Sequence, residues 1–82
     1  MFLHIGADME IMLRDIVGIF DIKSIRNSKI AERLLNISKK DGSIIFVSKE
    51  EAKSIIITKE KGKCLVYLSP ISSTALQKRI NY

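Results

Sequence analysis

The residues of this sequence best suited to binding another molecule are basic side chains that recur at helical spacing. Lys29, Arg33, Asn36 and Lys40 stand at i, i+4, i+7 and i+11, so a helix would place them along one edge. Like charges on one stripe repel each other, and phosphate groups would relieve that repulsion. The stripe therefore predicts that Lys29 and Arg33 contact a nucleic acid backbone. A merely solvated helix face explains the same pattern.

A second group of cations lies on both sides of a predicted β-hairpin. Its members are Lys49, Lys53, Lys59, Lys61 and Lys63. Three acidic residues are interleaved with them, Glu50, Glu51 and Glu60, and they dilute the positive charge. Lys49 and Lys53 are predicted to contact DNA phosphates.

Arg14 is the one Lys or Arg among the first 21 residues, which are acidic overall. It lies at a predicted strand junction, where its fork-shaped guanidinium could reach a phosphate or a base edge. It could equally pair with Asp15 or Glu10. The first interpretation adds Arg14 to the predicted DNA-binding residues.

The sequence offers little for catalysis. His4 is the only histidine and Cys64 the only cysteine, so there is no metal cluster and no Ser/His/Asp or Cys/His set. The four glycines form no phosphate-cradling motif. We therefore expect no enzyme activity, no metal, no cofactor and no small-molecule substrate. His4 is expected to be a half-buried strand residue, and Cys64 an inert buried thiol.

The composition sets the class of protein. Eighty-two residues make one domain, 1–82, and a hydrophobic fraction of 46% excludes a disordered tail. The net charge of +5 favours polyanionic partners such as nucleic acid. A single cysteine excludes a disulfide-stapled secreted domain, and neither a signal peptide nor a membrane-spanning run is visible. We expect a cytoplasmic protein that does not bind membranes.

Six short runs rich in β-branched and aromatic residues are predicted to form strands. They span Phe2–Ile5, Met9–Leu13, Asp15–Phe20, Ser43–Val47, Ser54–Lys59 and Cys64–Ser69. Gly18, inside the third run, predicts a bulge or a close backbone approach. The sequence Glu60-Lys61-Gly62-Lys63 predicts the tight turn of a hairpin between the last two strands.

Two helices complete the predicted fold. The first covers residues 28–40, with Ser28 as N-cap, Asp41-Gly42 as its end and a buried stripe at three- and four-residue spacing. The stripe consists of Ile30, Ala31, Leu34, Leu35 and Ile37. A short C-terminal helix is capped by Ser72. The prediction is an α+β domain with a small, strongly curved antiparallel sheet, in the order βββ-α-βββ-α.

Two of the strands are apolar at consecutive positions, Ile44–Val47 and Ile55–Ile57. Because side chains alternate between the faces of a strand, both faces require burial. One main amphipathic helix and one short helix are too few to cover them. Either the sheet curls into a barrel, or other subunits cover it. We favour assembly, with Ile45, Phe46, Ile55 and Ile57 at interior or interface positions.

The whole chain also resembles a known family. The opening FLHIG, the strand DIVGIFD, the tract KSIIIT and the ending YLSPISSTALQKR resemble the RemA/RemB-like extracellular matrix regulatory proteins, more closely the RemB-like branch. The resemblance covers residues 2–80. It implies a bacterial, cytoplasmic protein. In the RemA-like branch it implies a DNA-binding transcriptional regulator of biofilm matrix genes that assembles into rings, with a protomer fold akin to LytTR-type DNA-binding domains.

The family's DNA-contacting arginines are only partly kept. They lie at the start of the third strand, where this chain has Arg14 one place early, and in the loop before Ser54–Lys59, where only Lys53 remains basic. Glu50 and Glu51 in that loop would repel phosphates. The resemblance predicts a homo-oligomeric, ring-forming regulator that binds double-stranded DNA. The alternative is a ring-forming protein-interaction module without DNA affinity.

Overall fold

A computed structural model describes residues 1–25, 28, 29, 32, 33, 36 and 44–80 of the chain. Its strands are β1 (Phe2–Gly6), β2 (Met9–Met12), β3 (Ile16–Asp21), β4 (Ile44–Phe46), β5 (Ser54–Glu60) and β6 (Lys63–Ser69). The helices with defined bounds in these residues are α1 (Ile22–Ile25) and α2 (Ser73–Ile80), and a 3₁₀ turn spans Leu13–Asp15. The predicted α+β class is confirmed.

The first two strands form an antiparallel hairpin and a sheet of their own. They are joined by a two-residue turn in which Ala7 and Asp8 have positive φ of 47° and 62°. Two positive φ values give a turn whose twist matches that of the flanking strands. Gly6 precedes the turn with φ of 117°, which side-chain-bearing residues rarely adopt.

The other four strands form a second sheet in the order β3-β5-β6-β4. The predicted hairpin between β5 and β6 is confirmed. Its turn residues Lys61 and Gly62 have positive φ of 51° and 81°. The predicted bulge is also confirmed, because the pairing of β3 with β5 shifts between Ile16 and Gly18.

The prediction of one strongly curved antiparallel sheet is wrong. There are two separate sheets, because the 3₁₀ turn Leu13–Asp15 redirects the chain between β2 and β3. β4 pairs with β6 in parallel, with Phe46 opposite Leu68. The chain reverses once in the loop before β5 and again at the Lys61–Gly62 turn, so β6 runs in the direction of β4. β4 does not pair with β5, because β3 and β6 already occupy the two edges of β5.

The predicted helix 28–40 lies partly outside the described residues. Residues 29, 32, 33 and 36 are helical, and the amide of Glu32 donates to the carbonyl of Ser28 over 3.2 Å. The apolar stripe from Ile30 to Ile37, together with Lys40 and the Asp41-Gly42 end, lies outside the described part. α1 was not predicted, because a single turn shows no apolar period.

Among the described residues, the hydrophobic core has two parts, one on each face of the four-stranded sheet. The β1–β2 hairpin and α2 cover the first face, and its buried residues are Leu3, Ile5, Ile11, Val47, Ile56, Tyr67 and Leu76. The second face buries Ile55, Ile57 and Val66, with Ile22, Ile25 and Leu68 packed against them. The chain therefore covers both faces of β5 by itself, which the strand pattern alone did not indicate.

Buried hydroxyl groups tie the strands to the segment before α2. Ser69 is fully buried and donates to the carbonyl of Ile5 over 2.7 Å, while its oxygen accepts from the amide of Ile71 over 3.0 Å. Ser54 donates to the carbonyl of Ile71 over 2.7 Å. The predicted cap of α2 is confirmed, since the Ser72 hydroxyl accepts from the amide of Ala75 over 3.1 Å.

Candidate nucleic-acid interface

Arg14 lies in the 3₁₀ turn Leu13–Asp15, and its side chain is exposed. The turn is held in place because the amide of Leu13 donates to the carbonyl of Met1 over 3.0 Å. Directly after the turn, Ile16 pairs with Thr58 near the end of β5. Arg14 therefore lies at the end of the four-stranded sheet where β5 turns into β6.

Lys49 and Lys53 lie in the loop between β4 and β5, and both are exposed. The backbone of Lys53 is fixed at both sides. Its amide donates to the carbonyl of Ser69 over 2.8 Å, and its carbonyl accepts from the amide of Ile22 over 3.1 Å. These bonds attach the loop to β6 and α1 and leave the ammonium group of Lys53 in solvent.

Among the described residues, the end of the sheet around this loop carries no net charge. Its cations are Lys23, Lys49 and Lys53, and its carboxylates are Asp21, Glu50 and Glu51. A cleft between β3, the loop and the start of α2 is lined by Asp21, Lys23, Glu51 and Lys53, with the hydroxyl-bearing residues 72–74. Phosphates at this end would meet as many carboxylates as ammonium groups.

Sequence reasoning missed Lys23 as a neighbour of Lys53. α1 is responsible, because its first residue, Ile22, bonds to Lys53. The signal for α1 was Asp21, whose Oδ1 accepts from the amide of Lys23 over 2.9 Å as an N-cap does.

Arg14 and Lys53 do not form one site. β3 and β5 are antiparallel, with Ile16 opposite Thr58 and Asp21 opposite Ser54. Arg14 therefore lies beside one end of β5 and Lys53 at the other. At about 3.4 Å per residue, the stretch from Lys53 to Thr58 separates them by roughly 17 Å. One protomer therefore presents Arg14 and Lys53 at opposite ends of its sheet.

Lys29 and Arg33 are helical and exposed, as is Glu32 between them. Residues four positions apart share a helix face, so the two cations point to the same side. The structure leaves this pair on a solvated surface with one carboxylate next to it. Both interpretations of the stripe are compatible with this placement.

The hairpin end of the sheet adds further cations to Arg14. The exposed lysines there are Lys59, Lys61 and Lys63. Lys59 and Lys63 lie on neighbouring strands, opposite Cys64 and Glu60 respectively. The sequence grouped these lysines with Lys49 and Lys53. The strand pairing instead separates the two sets by the length of β5.

Glu60 supplies the carboxylate of this hairpin, and one of its two oxygens already accepts hydrogen bonds. Oε2 accepts from the hydroxyls of Thr58 and Tyr67, both over 2.7 Å. Burial, the hydrogen bond to Glu60 and the negative charges of Glu60 and Asp15 together raise the pKa of Tyr67 to about 12. The phenol therefore stays protonated at neutral pH and holds the carboxylate against the sheet.

The four predicted interior or interface residues have different surroundings. Ile55 and Ile57 are 5% and 8% exposed and belong to the core of one chain. Ile45 is half-buried against the first part of the core. Phe46 is 72% exposed, beside a groove that Leu68 and Ala52 help to line. Of the four, Phe46 is the residue free to meet another molecule.

His4 and Cys64 are more exposed than expected. The prediction of a buried thiol is wrong, because Cys64 is exposed at the start of β6. His4 is exposed on β1, where Arg79 of α2 donates to its carbonyl over 2.9 Å. In the described part of the chain, no three acidic, histidine or cysteine residues are grouped as a metal site would require. In the same part, no helix is long and apolar enough to cross a membrane.

Two comparisons with known proteins cover nearly the whole chain. A family model described as RemA-like, extracellular matrix regulatory protein A-like, matches residues 2–80. Extracellular matrix regulatory protein B of Bacillus subtilis (strain 168) is 37% identical over 82 residues, which span all of this chain and 93% of that protein. The similarity includes both ends of the four-stranded sheet.

Proposed function

The chain belongs to the RemA-like family of extracellular matrix regulatory proteins, as its sequence predicted, and we propose that it is a ring-forming, DNA-binding regulator of matrix gene transcription. The observation that carries the proposal is the family match over residues 2–80. We further propose that it acts in the cytoplasm, without catalysis, and that its partners are double-stranded DNA and further copies of itself.

The exposed cations support a polyanionic partner. The residues proposed to contact DNA are Arg14, Lys29, Arg33, Lys49 and Lys53, and each of them is exposed. Contacts of this kind neutralise phosphates and release condensed counterions, which favours binding at low salt. With a net charge of +5, the protomer also attracts DNA over long range.

Exposed apolar residues on two sheet edges support a ring. Phe46 is 72% exposed on the edge strand β4, and Val17 is 66% exposed on the opposite edge strand β3. Phe20, also on β3, is paired with Ile55, which is paired with Leu68, the partner of Phe46. Paired residues point to the same side of a sheet, so Phe20 and Phe46 lie on one face. Contacts between two different patches of one protein are heterologous, and they close into a ring when the rotation between copies is suitable.

A ring would compensate for the few contacts that one protomer offers. Once one subunit is bound, its neighbours reach the same duplex at effective concentrations that can approach millimolar. We therefore expect long duplexes to bind far more tightly than duplexes too short to span two subunits.

The alternative is a ring that binds proteins instead of DNA. It is favoured by the charge balance at the β4–β5 loop, where Glu50 and Glu51 offset Lys49 and Lys53. If these acids limit DNA affinity, Glu50→Lys combined with Glu51→Lys should tighten binding.

The test is a salt titration of DNA binding, followed by fluorescence anisotropy on duplexes of several lengths. We expect the logarithm of affinity to fall with the logarithm of salt at a slope of about −0.9 per neutralised phosphate. Light scattering should give a mass several times 9.3 kDa. Absence of salt-sensitive binding to long duplex at about 50 mM salt would exclude DNA and leave the interaction ring.

A further inference from the structure

We infer that the hairpin end of the sheet makes DNA phosphate contacts of its own, through Lys59, Lys61 and Lys63 beside Arg14. This inference rests on the proposed DNA-binding function. We call this surface the hairpin patch. It differs from the loop in charge balance, and its carboxylate is already hydrogen-bonded.

The charge balance favours the hairpin patch. Among the described residues, its four cations share their end of the sheet with two carboxylates, Asp15 and Glu60, whereas the three cations near the loop share theirs with three. A phosphate at the hairpin patch therefore meets a net positive charge. At the loop it meets none.

The carboxylate of Glu60 already accepts hydrogen bonds from two hydroxyl groups. Its Oε2 accepts from Thr58, which is fully buried, and from Tyr67, which is 6% exposed. Within the described residues, no ion pair or hydrogen bond engages the side chains of Lys59, Lys61 or Lys63. Binding a phosphate would thus break no existing contact of these ammonium groups.

The backbone under the hairpin patch is fixed before DNA arrives. β5 and β6 pair without interruption from Ser54 opposite Ser69 to Glu60 opposite Lys63. The two-residue turn Lys61–Gly62 then presents Lys61 at the tip. Arg14 is held beside this end by the pairing of Ile16 with Thr58. Preorganised groups lose less conformational entropy on binding than flexible groups.

The chemistry of the tip favours nucleic acid over an anionic membrane. Residues 59–63 are charged except for Gly62, so the tip has no apolar side chain to insert among lipids. Phosphates spaced along a duplex match a row of separate ammonium groups.

The test compares two variants that remove equal charge, one at the hairpin patch and one elsewhere on the surface. The hairpin variant is Lys61→Asn with Lys63→Gln, and the matched control is Lys23→Gln with Lys78→Gln, two exposed lysines to which no DNA contact is assigned. Asn-Gly is the preferred pair for a two-residue turn with two positive φ values. Lys61→Asn therefore keeps or raises stability, and urea denaturation checks that the variant folds.

Salt titrations of both variants and the wild-type protein on one long duplex give the result. We expect the hairpin variant to reduce the steepness of the salt slope by about 0.9 per lost contact in each bound subunit, with weaker binding on every sequence. The control should keep the wild-type slope. A loss in the control but not in the hairpin variant would overturn the inference and leave DNA binding intact, as would equal losses in both.

Two further outcomes separate the hairpin patch from the proposed function. If the wild-type protein binds no duplex, DNA binding itself fails and the inference fails with it. If the hairpin variant loses binding to vesicles of phosphatidylcholine and phosphatidylserine while DNA binding is unchanged, the hairpin patch recognises lipid phosphates and the inference is overturned.

Discussion

At the scale of single residues, Glu60 and Tyr67 link the stability of the sheet to the charge of its surface. The phenol of Tyr67 donates to Glu60 over 2.7 Å from a site that is 6% exposed. Deprotonating the phenol would remove the donor and place a second negative charge beside the carboxylate. The contact therefore requires a protonated tyrosine.

We predict that stability falls between pH 10 and 12 because of Tyr67. Its pKa is raised to about 12 in the folded chain and is 10.0 without the fold. A raised pKa stabilises the fold fully below pH 10, and the contribution is lost as the pH rises through 12. The two-unit difference corresponds to roughly 2–3 kcal/mol. Urea denaturation at pH 8, 10 and 12 measures the effect.

The control is Tyr67→Phe, compared in a Tyr82→Phe background so that no other tyrosine titrates. At neutral pH we expect it to reduce the free energy of unfolding by about 1 kcal/mol through the lost hydrogen bond. Above pH 10 its stability should decline less than that of the parent. Identical declines in both would contradict the assignment to Tyr67.

At the scale of elements, the junction between β1 and its turn depends on a glycine. Gly6 has φ of 117°, and a Cβ there would meet Cγ of Pro70 at 3.1 Å and Cγ1 of Val47 at 3.3 Å. Gly62, in the other hairpin, has φ of 81° and nothing within 4 Å of such a Cβ. The two glycines therefore separate backbone strain from crowding.

We predict that Gly6→Ala destabilises the fold more than Gly62→Ala. Alanine at Gly62 should cost about 1–2 kcal/mol, the cost of a left-handed conformation alone. At Gly6 the φ of 117° lies further outside the left-handed region, and this strain adds to contacts with a proline ring and a buried valine, for a total of about 2–4 kcal/mol. Urea denaturation of both variants tests the order, and equal losses would show that crowding at Pro70 contributes nothing.

At the scale of the whole molecule, the direction of the strands makes a head-to-tail contact possible. β3 and β6 are both antiparallel to β5, and β4 is parallel to β6, so the two edge strands run the same way. A copy placed edge to edge, with its β3 beside β4, would continue the sheet in the same orientation. Phe46 and Phe20 would then lie on the same face of the extended sheet.

We predict that Phe46→Glu and Val17→Glu each abolish assembly, and that mixing the two variants restores a dimer. Each variant blocks one edge and keeps the other, so the intact β3 edge of the first fits the intact β4 edge of the second. Both sites are more than 60% exposed, at 72% and 66%, so the fold should tolerate the charge. Light scattering on the separate and mixed variants measures the result. If the mixture stays monomeric although each variant is folded, the head-to-tail arrangement is wrong.

The sequence by itself determined the local structure of this protein. Strand positions, the Gly18 bulge, the Lys61–Gly62 turn and the Ser72 cap all depend on neighbouring residues, and each agrees with the structure. The family was also readable, because its resemblance covers the whole chain.

Only the tertiary structure decided which residues meet. The apolar runs required burial on two faces, but the separate β1–β2 sheet that covers one of them depends on a redirection at Leu13–Asp15. The cations likewise formed groups by sequence distance, whereas strand direction places Arg14 with Lys61 and far from Lys53. Periodicity reports which face of an element is apolar, but pairing and direction arise from long-range contacts that no local pattern encodes.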